Sequence, residues 1–194
     1  MFDELCKLLA ERCEDGKEEC IVVGNYNVEG VEIDAMVVTQ YGGMFFDFKN
    51  GGGNIVAREV GEWTQNDHSV AGGAYGKSPM VNARMMRNRL RSSSSKLLGC
   101  QLSDAKVVVV FSMPSAIDDS ALSEATKSWL TVCDINNIAD VLDKALLGAR
   151  VISDEIFNAI PNHLCISQFD IQQGFANSYS GIYSPDVATD FFGQ

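Results

Sequence analysis

Residues 31–50 read VEIDAMVVTQYGGMFFDFKN, two apolar-rich segments joined by a turn sequence that contains two glycines. Such a pattern predicts a β-hairpin. With a loop at 40–43, Thr39 pairs with Met44 and the strands run antiparallel from there. This hairpin decides the fold, because its register sets which side chains meet on each face of the sheet.

Both predicted strands carry charged residues where a strand of a protein core is usually apolar. Because side chains alternate between the faces of a strand, Glu32 and Asp34 share one face, and so do Asp47 and Lys49. The expected register places Asp34 directly opposite Lys49, about 5 Å away, with Asp47 one diagonal step from Asp34 at about 7–8 Å. Two carboxylates and an ammonium group are thus predicted on one patch, which suits a divalent metal ion beside a lysine.

A solvated cross-strand salt bridge is the alternative interpretation of Asp34, Asp47 and Lys49, and taken alone it would describe most hairpins. Here Met36 and Phe45 lie on the same faces as the carboxylates, together with Val38, which predicts partial burial. An extra carboxylate in such a place costs free energy unless a cation joins it. The pattern therefore favours the metal site.

The composition is that of a soluble globular chain. The 194 residues suffice for one well-buried domain, and 46% of them are hydrophobic and 21% charged. We find no run of about 18 apolar residues and no basic-then-apolar leader at the acidic N-terminus, so a cytoplasmic protein without membrane contact is expected. The scattered cysteines, six in number, are interpreted as reduced core thiols.

Charge is distributed unevenly along the chain. The net charge is −11, which argues against general affinity for nucleic acid. Residues 69–103 nevertheless contain no acidic residue, and their cations include Lys77, Arg84, Arg87 and Arg91. The three arginines fall within a stripe about 60° wide on a predicted helix, with Lys77 on the preceding loop. This predicts a face that binds DNA phosphates, with a merely solvated helix face as the alternative.

The remaining periodicity predicts an α/β fold with a central mixed β-sheet flanked by helices. We expect one domain over residues 1–150, with 151–194 as a C-terminal extension packed on it. The glycines at 51–53 predict a flexible break, and residues 61–78 a long loop. Helices are predicted at 2–14, 79–91, 135–147 and 153–159, and strands beyond the hairpin at 20–24, 55–60, 106–112 and 129–133.

Several of these segments together resemble the nuclease-related domain (NERD) family of the PD-(D/E)xK nuclease superfamily. The resemblance covers roughly residues 2–147 and implies a restriction-endonuclease-like core. The helix start Ser78-Pro79-Met80-Val81-Asn82 resembles the family's Asn-Pro-x-x-Gln, with Ser78 in place of Asn and Asn82 in place of Gln. The other matching segments are Glu32-Ile33-Asp34, Asp47-Phe48-Lys49-Asn50 and Trp63.

The resemblance implies a Mg²⁺-dependent nuclease acting on DNA, with Mn²⁺ as a substitute metal. It implies that Asp34, Asp47 and the carbonyl of Phe48 bind the metal. Lys49 would orient or deprotonate the attacking water, or offset charge in the transition state. Glu32 would bind metal or shape its surroundings.

The accessory residues are less defined. The family's first helix usually supplies one more acid, which here could be Glu4 or Glu11, and Asn82 keeps an amide with a shorter reach. A role in DNA processing or in defence against foreign DNA is compatible with the family. The alternatives are a nuclease-fold module that binds nucleic acid without turnover, and an assembly domain with a protein partner. A homo-oligomer is expected by analogy alone.

Overall fold

The computed structural model describes residues 1–13, 19–28, 30–72, 78–102, 105–145, 149–164, 168–169 and 181–183. Its helices are α1 (Phe2–Cys13), α2 (Pro79–Leu98), α3 (Glu124–Lys127), α4 (Ile138–Ala145) and α5 (Asp154–Leu164), with a 3₁₀ turn at Ile135–Asn137. Its strands are β1 (Cys20–Val28), β2 (Val31–Thr39), β3 (Gly42–Lys49), β4 (Gly53–Arg58), β5 (Thr64–Gln65), β6 (His68–Ser69), β7 (Ala105–Phe111), β8 (Ser115–Ala121), β9 (Leu130–Asp134), β10 (Gln168–Phe169) and β11 (Gly181–Tyr183).

Two sheets organise these elements. The larger has the strand order β10-β11-β1-β2-β3-β7-β9, with β1, β2 and β3 antiparallel and β7 and β9 parallel to β3. The smaller has the order β6-β5-β4-β8. The predicted α/β class with a central mixed sheet flanked by helices is confirmed. No helix within the described ranges is both long and apolar enough to cross a membrane.

The large sheet is covered on both faces. On one face Met36, Val38 and Phe45 share a buried cluster with the α2 residues Met80 and Ala83, as the predicted burial of that face required. On the other face, α1 and α4 bury residues such as Leu5 and Leu142 against Val37, Phe46 and Val110. The strand β7 touches both clusters, so its apolar run is buried on both sides.

The hairpin register differs from the expected one. Thr39 pairs with Gly42 rather than Met44, so the turn consists of Gln40 and Tyr41. Gly42 adopts a φ of 142°, which a side chain would oppose, and this lets β3 begin two residues earlier than predicted. A shift of two residues preserves the face of every side chain. Continued along the strands, the register sets Asp34 against Asp47 instead of Lys49.

Helix α2 extends past the predicted end through its serine run. The hydroxyls of Ser92 and Ser94 donate to the carbonyls of Arg89 and Arg91, three residues earlier, which keeps these side chains compatible with a helix. Gly99 ends the helix with a φ of 72°. Against this helix packs α5, whose Phe157, Ile160 and Leu164 join the same core cluster.

The second sheet contains strands that the sequence pattern did not predict. A tight turn at Asn66 and Asp67, both with positive φ, makes a short hairpin of β5 and β6 within the predicted loop. The exposed strand β8 carries Asp118 and Asp119 and lacks the apolar alternation of a typical strand, which is why its sequence gave no signal.

Glu59 ties the second sheet to two helices, and this contact predicts a pH dependence. Its carboxylate accepts hydrogen bonds from the Ser123 N–H at 2.8 Å and from Thr126 Oγ1 at 2.9 Å, and it pairs with Arg84 at 3.4 Å. The hydrogen bonds from Ser123, then that from Thr126, lower the pKa of Glu59. A lowered folded-state pKa gives stability that is present above the ordinary glutamate pKa and lost as the pH falls through the folded one.

We therefore expect Glu59→Gln to flatten the acid side of the stability curve. The variant should lose less melting temperature than the native chain between about pH 5 and pH 3, the range in which glutamates titrate. Scanning calorimetry across this range measures the difference, with Glu155→Gln as a control on an exposed helix start. Parallel curves for the native chain and Glu59→Gln would contradict this account.

Candidate active site

Regular strand pairing is interrupted on both sides of Asp34. Between β1 and β2 the pairs run from Gly24–Ala35 to Tyr26–Ile33, omitting Asn25 and Asp34, and Asn25 has a φ of 48°. Between β2 and β3 the pairing ends at Ala35 and Phe46. The Asp34 carboxylate replaces the missing backbone acceptor, since its Oδ2 accepts a hydrogen bond from the Phe48 N–H at 2.5 Å.

Asp47 lies beside this opening and is almost completely enclosed. It is 5% exposed. Lys49 Nζ donates to its Oδ1 at 2.7 Å, and Asn82 Nδ2 donates to its Oδ2 at 3.2 Å. The Lys49 side chain is itself only 11% exposed, so this ion pair is not the solvated salt bridge of the alternative interpretation.

The electrostatics of the two carboxylates follow from their burial. Burial raises the pKa of Asp34, and the Phe48 hydrogen bond and the Lys49 charge oppose it only in part. Burial likewise raises the pKa of Asp47 against the opposing effect of Lys49 and Asn82. Two carboxylates thus share the single positive charge of Lys49, and a further cation would balance the second one.

The donor set fits a hard cation that keeps part of its water shell. Within the residues that the structure describes, no three His, Cys, Asp or Glu side chains are placed to hold a metal ion together. Two carboxylates are nevertheless enough for Mg²⁺, which is commonly bound by one or two carboxylates plus waters. In an extended strand a residue's N–H and C=O point the same way, so the Phe48 carbonyl points toward the Asp34 side of β3.

The three glutamates that were predicted as additional acids of the site lie in different places. Glu32 is exposed on β2, and its charge raises the pKa of Asp34. Glu4 and Glu11 are exposed on α1, which covers the face opposite α2, and Glu4 is 3.8 Å from Lys7. The charges and hydrogen bonds that shift the pKa values of Asp34 and Asp47 come from residues other than Glu4 and Glu11.

The predicted basic stripe on α2 has intramolecular contacts. Arg84 pairs with Glu59, and the Arg87 guanidinium stacks 4.8 Å from the Trp129 ring centre while its Nε donates to the Ala105 carbonyl. Arg91 is exposed. Lys77 lies outside the described residues.

The glycine segment that follows Lys49 is held firmly in place, which the sequence pattern did not predict. The Ser112 N–H donates to the Lys49 carbonyl at 2.9 Å, and the Gly51 N–H donates to Ser112 Oγ at 2.9 Å. The side-chain amides of Gln65 and Asn66 both donate to the Gly52 carbonyl. A run of glycines fits either a flexible segment or a close approach between backbones, and only the contacts in the structure distinguish the two. Here they show the close approach.

Gly52 leads to a stability prediction. A Cβ at this position would lie 2.7 Å from Met113 Cβ and from the Met113 and Pro114 carbonyl oxygens. Because two of these atoms belong to the backbone, Gly52→Ala should force the segment away and lower stability by about 1–3 kcal/mol. Urea unfolding measures this loss. Gly30→Ala is the reference for backbone strain without a clash, since no atom lies within 4 Å of its Cβ position but its φ of 84° disfavours a side chain by about 1 kcal/mol.

Comparison with known proteins gave one family match. The family model described as nuclease-related domain (NERD) matches residues 3–112, more than half of the chain, including Asp34, Asp47, Lys49 and Asn82. Comparison with curated proteins gave no match, and comparison with solved structures gave none either. The matched region contains the interrupted hairpin, its buried ion pair and all of helix α2. This chain therefore belongs to the nuclease-related domain family and has a nuclease-like fold.

Proposed function

We propose that this protein is a divalent-metal-dependent nuclease that hydrolyses phosphodiester bonds in DNA. The observation that carries the proposal is the grouping of the buried Asp47 with the partly buried Asp34 and Lys49 at a break in the central sheet. Placing one buried and one partly buried carboxylate against a single ammonium group is costly for a purely structural element. A bound cation would offset that cost and provide a reason for the arrangement.

Asp34 and Asp47 would hold Mg²⁺ or Mn²⁺ together with the Phe48 carbonyl. When bound, such an ion polarises the phosphate and lowers the pKa of a bound water. Asp34 is oriented for this task by the Phe48 N–H, which occupies Oδ2 and leaves Oδ1 for another partner.

Lys49 would act on the attacking water or on the charge that develops on the phosphate. Its ammonium group is held 2.7 Å from Asp47 Oδ1, so it is confined to the edge of the proposed metal site. A fixed, poorly solvated cation stabilises developing negative charge more effectively than a mobile one in water.

Asn82 would orient Asp47. The shorter amide that replaces the family's glutamine still reaches the carboxylate, because α2 packs its N-terminal turns directly on β3. Its Nδ2 group holds Oδ2 while Lys49 holds Oδ1, so the carboxylate plane is fixed from both sides.

The basic stripe of α2, consisting of Arg84, Arg87 and Arg91 with the preceding Lys77, would contact DNA phosphates. Arg91 is exposed, and Arg84 keeps 47% of its side chain exposed despite its ion pair. A guanidinium group has five donors, so one internal partner leaves others for phosphate oxygens. Arg87 would serve mainly to position the helix through Trp129.

A cleavage assay tests the proposal. Labelled single- and double-stranded DNA is incubated with the purified protein in Mg²⁺, in Mn²⁺ and in EDTA. We expect cleavage in either metal and none in EDTA. Intact DNA in all three conditions, with a folded protein, would contradict the nuclease proposal.

A second candidate is a binding module that retains the nuclease fold without turnover. It is favoured by the position of Glu4 and Glu11, which are exposed on α1 at the opposite face of the sheet, so that no first-helix acid joins Asp34 and Asp47. Gel-shift binding that weakens with salt, without cleavage in either metal, would select this candidate. Absence of both binding and cleavage would point to a protein partner.

A further inference from the structure

Two cysteine thiols meet where helix α1 ends and strand β1 begins. Cys13 is the last residue of α1 and Cys20 the first of β1, and their Sγ atoms lie 3.6 Å apart. They are 3% and 1% exposed. Both carry thiols in this structure. The sulfurs are in van der Waals contact, and a disulfide bond of about 2.05 Å requires them to approach further by less than 2 Å.

The position of this pair makes the approach feasible. Cys13 lies in the last turn of its helix and Cys20 at the start of its strand, and element ends open more readily than element centres. Two other cysteines are equally buried but lie inside their elements rather than at an end. Cys6 lies within α1 and Cys133 within β9, and burial raises the pKa of each thiol to about 12.

We propose that Cys13 and Cys20 form a reversible intramolecular disulfide on exposure to a low-molecular-weight disulfide such as oxidised glutathione. The thiolate of one cysteine attacks a glutathione sulfur, forming a mixed disulfide and releasing one glutathione thiolate. The thiolate of the second cysteine then attacks the protein sulfur of that mixed disulfide and releases the other glutathione. Two protein thiols are oxidised, one glutathione disulfide is reduced to two thiols, and the two cysteine protons pass to these products.

The bond would fasten helix α1 to the sheet. Leu5 and Leu9 of α1 bury one face of the sheet together with Val22 and Val37, so the helix is part of the core. Closing the short segment between the two cysteines restricts the unfolded chain more than the folded one. Oxidation should therefore raise the melting temperature, while the Asp34–Asp47 site on the other side of β2 and β3 keeps its contacts. This inference is independent of the proposed nuclease activity.

Peptide mapping gives a direct test, because Lys17 separates the two cysteines. Trypsin cuts after Arg12, Lys17 and Lys49, which places Cys13 and Cys20 in the separate peptides 13–17 and 18–49, with one cysteine in each. The native protein is incubated with oxidised glutathione, its remaining thiols are alkylated, and the digest is analysed by mass spectrometry. We expect the two peptides joined, two hydrogens lighter than their sum, and separated again by dithiothreitol.

The controls distinguish this pair from general oxidation. Cys100→Ser, which removes a half-buried thiol elsewhere, should leave the linked peptides unchanged. Oxidation should raise the melting temperature of the native chain by roughly 5 °C. It should leave the melting temperature of Cys20→Ser unchanged. Recovery of peptides 13–17 and 18–49 as separate alkylated species after oxidation of the folded native chain would overturn the proposal. So would glutathione attached to either cysteine without the linked pair.

Discussion

Asp47→Asn is expected to lower metal-dependent DNA cleavage by about 10³-fold or more, equivalent to about 4 kcal/mol of transition-state free energy. Asparagine has the shape of aspartate but lacks the negative charge that would hold the metal ion. Asp47 is the most buried charged group of the site and contacts both Lys49 and Asn82, so no neighbouring acid can replace it in position. Single-turnover cleavage at saturating Mg²⁺ measures the effect.

The fold of this variant should survive. The substitution removes a carboxylate whose pKa is raised by burial, and Lys49 keeps the charge of Asp34 nearby. Asp140→Asn is the matched control, since it makes the same chemical change on the exposed side of α4 and should cleave like the native chain. Cleavage by Asp47→Asn within about threefold of native would remove this carboxylate from the proposed mechanism.

Lys49→Met is expected to lower cleavage by about 10²–10³-fold while leaving metal binding intact or stronger. Methionine fills the space of the buried lysine stem but carries no charge. The ammonium group that occupies Asp47 Oδ1 is then gone, so a metal ion no longer competes with it for this oxygen. Lys49→Met should therefore lose cleavage activity but keep its metal affinity, whereas Asp47→Asn should lose both.

Titration calorimetry with Mn²⁺ on the two variants resolves this contrast. The expected order of affinity is Lys49→Met at or above native, with Asp47→Asn at least about tenfold weaker. Lys127→Met is the control for removal of a lysine, because Lys127 forms a partly exposed pair with Asp119 on the second sheet. Equal loss of metal affinity in Lys49→Met and Asp47→Asn would mean that Lys49 supports the site structurally rather than acting on the substrate.

The sequence predicted the fold correctly where the spacing of apolar residues reflects their burial. The helix α1, the hairpin of β2 and β3, the start of α2 at Pro79 and the doubly buried strand β7 all carry patterns that match their surroundings. Of the second sheet it predicted only β4; it missed β8, which is partly to fully exposed and lacks apolar alternation, and β5 and β6, which contain two residues each. Such strands are stabilised by pairing with neighbouring strands, and this pairing does not require a pattern of apolar residues in their own sequence.

The residues of the candidate site could also be predicted from the sequence, but their geometry could not. Alternation along two strands was enough to place Asp34, Asp47 and Lys49 on one patch, since a register error of two residues leaves faces unchanged. It could not identify Asn82 as the second partner of Asp47, because that contact depends on how α2 packs across β3. Nor could it reveal that Ser112, Gln65 and Asn66 hold the backbone beyond Lys49.

Local sequence thus specified which residues are acidic, basic or apolar on each face of each element, because the periods of strands and helices are fixed by backbone geometry. Tertiary packing decided that the arginines Arg84 and Arg87 have internal partners, that the glycines at 51–53 are held rather than free, and that Cys13 touches Cys20. These contacts join residues from different elements or from opposite ends of a connecting segment. Their formation depends on the relative placement of those elements, which no local period encodes.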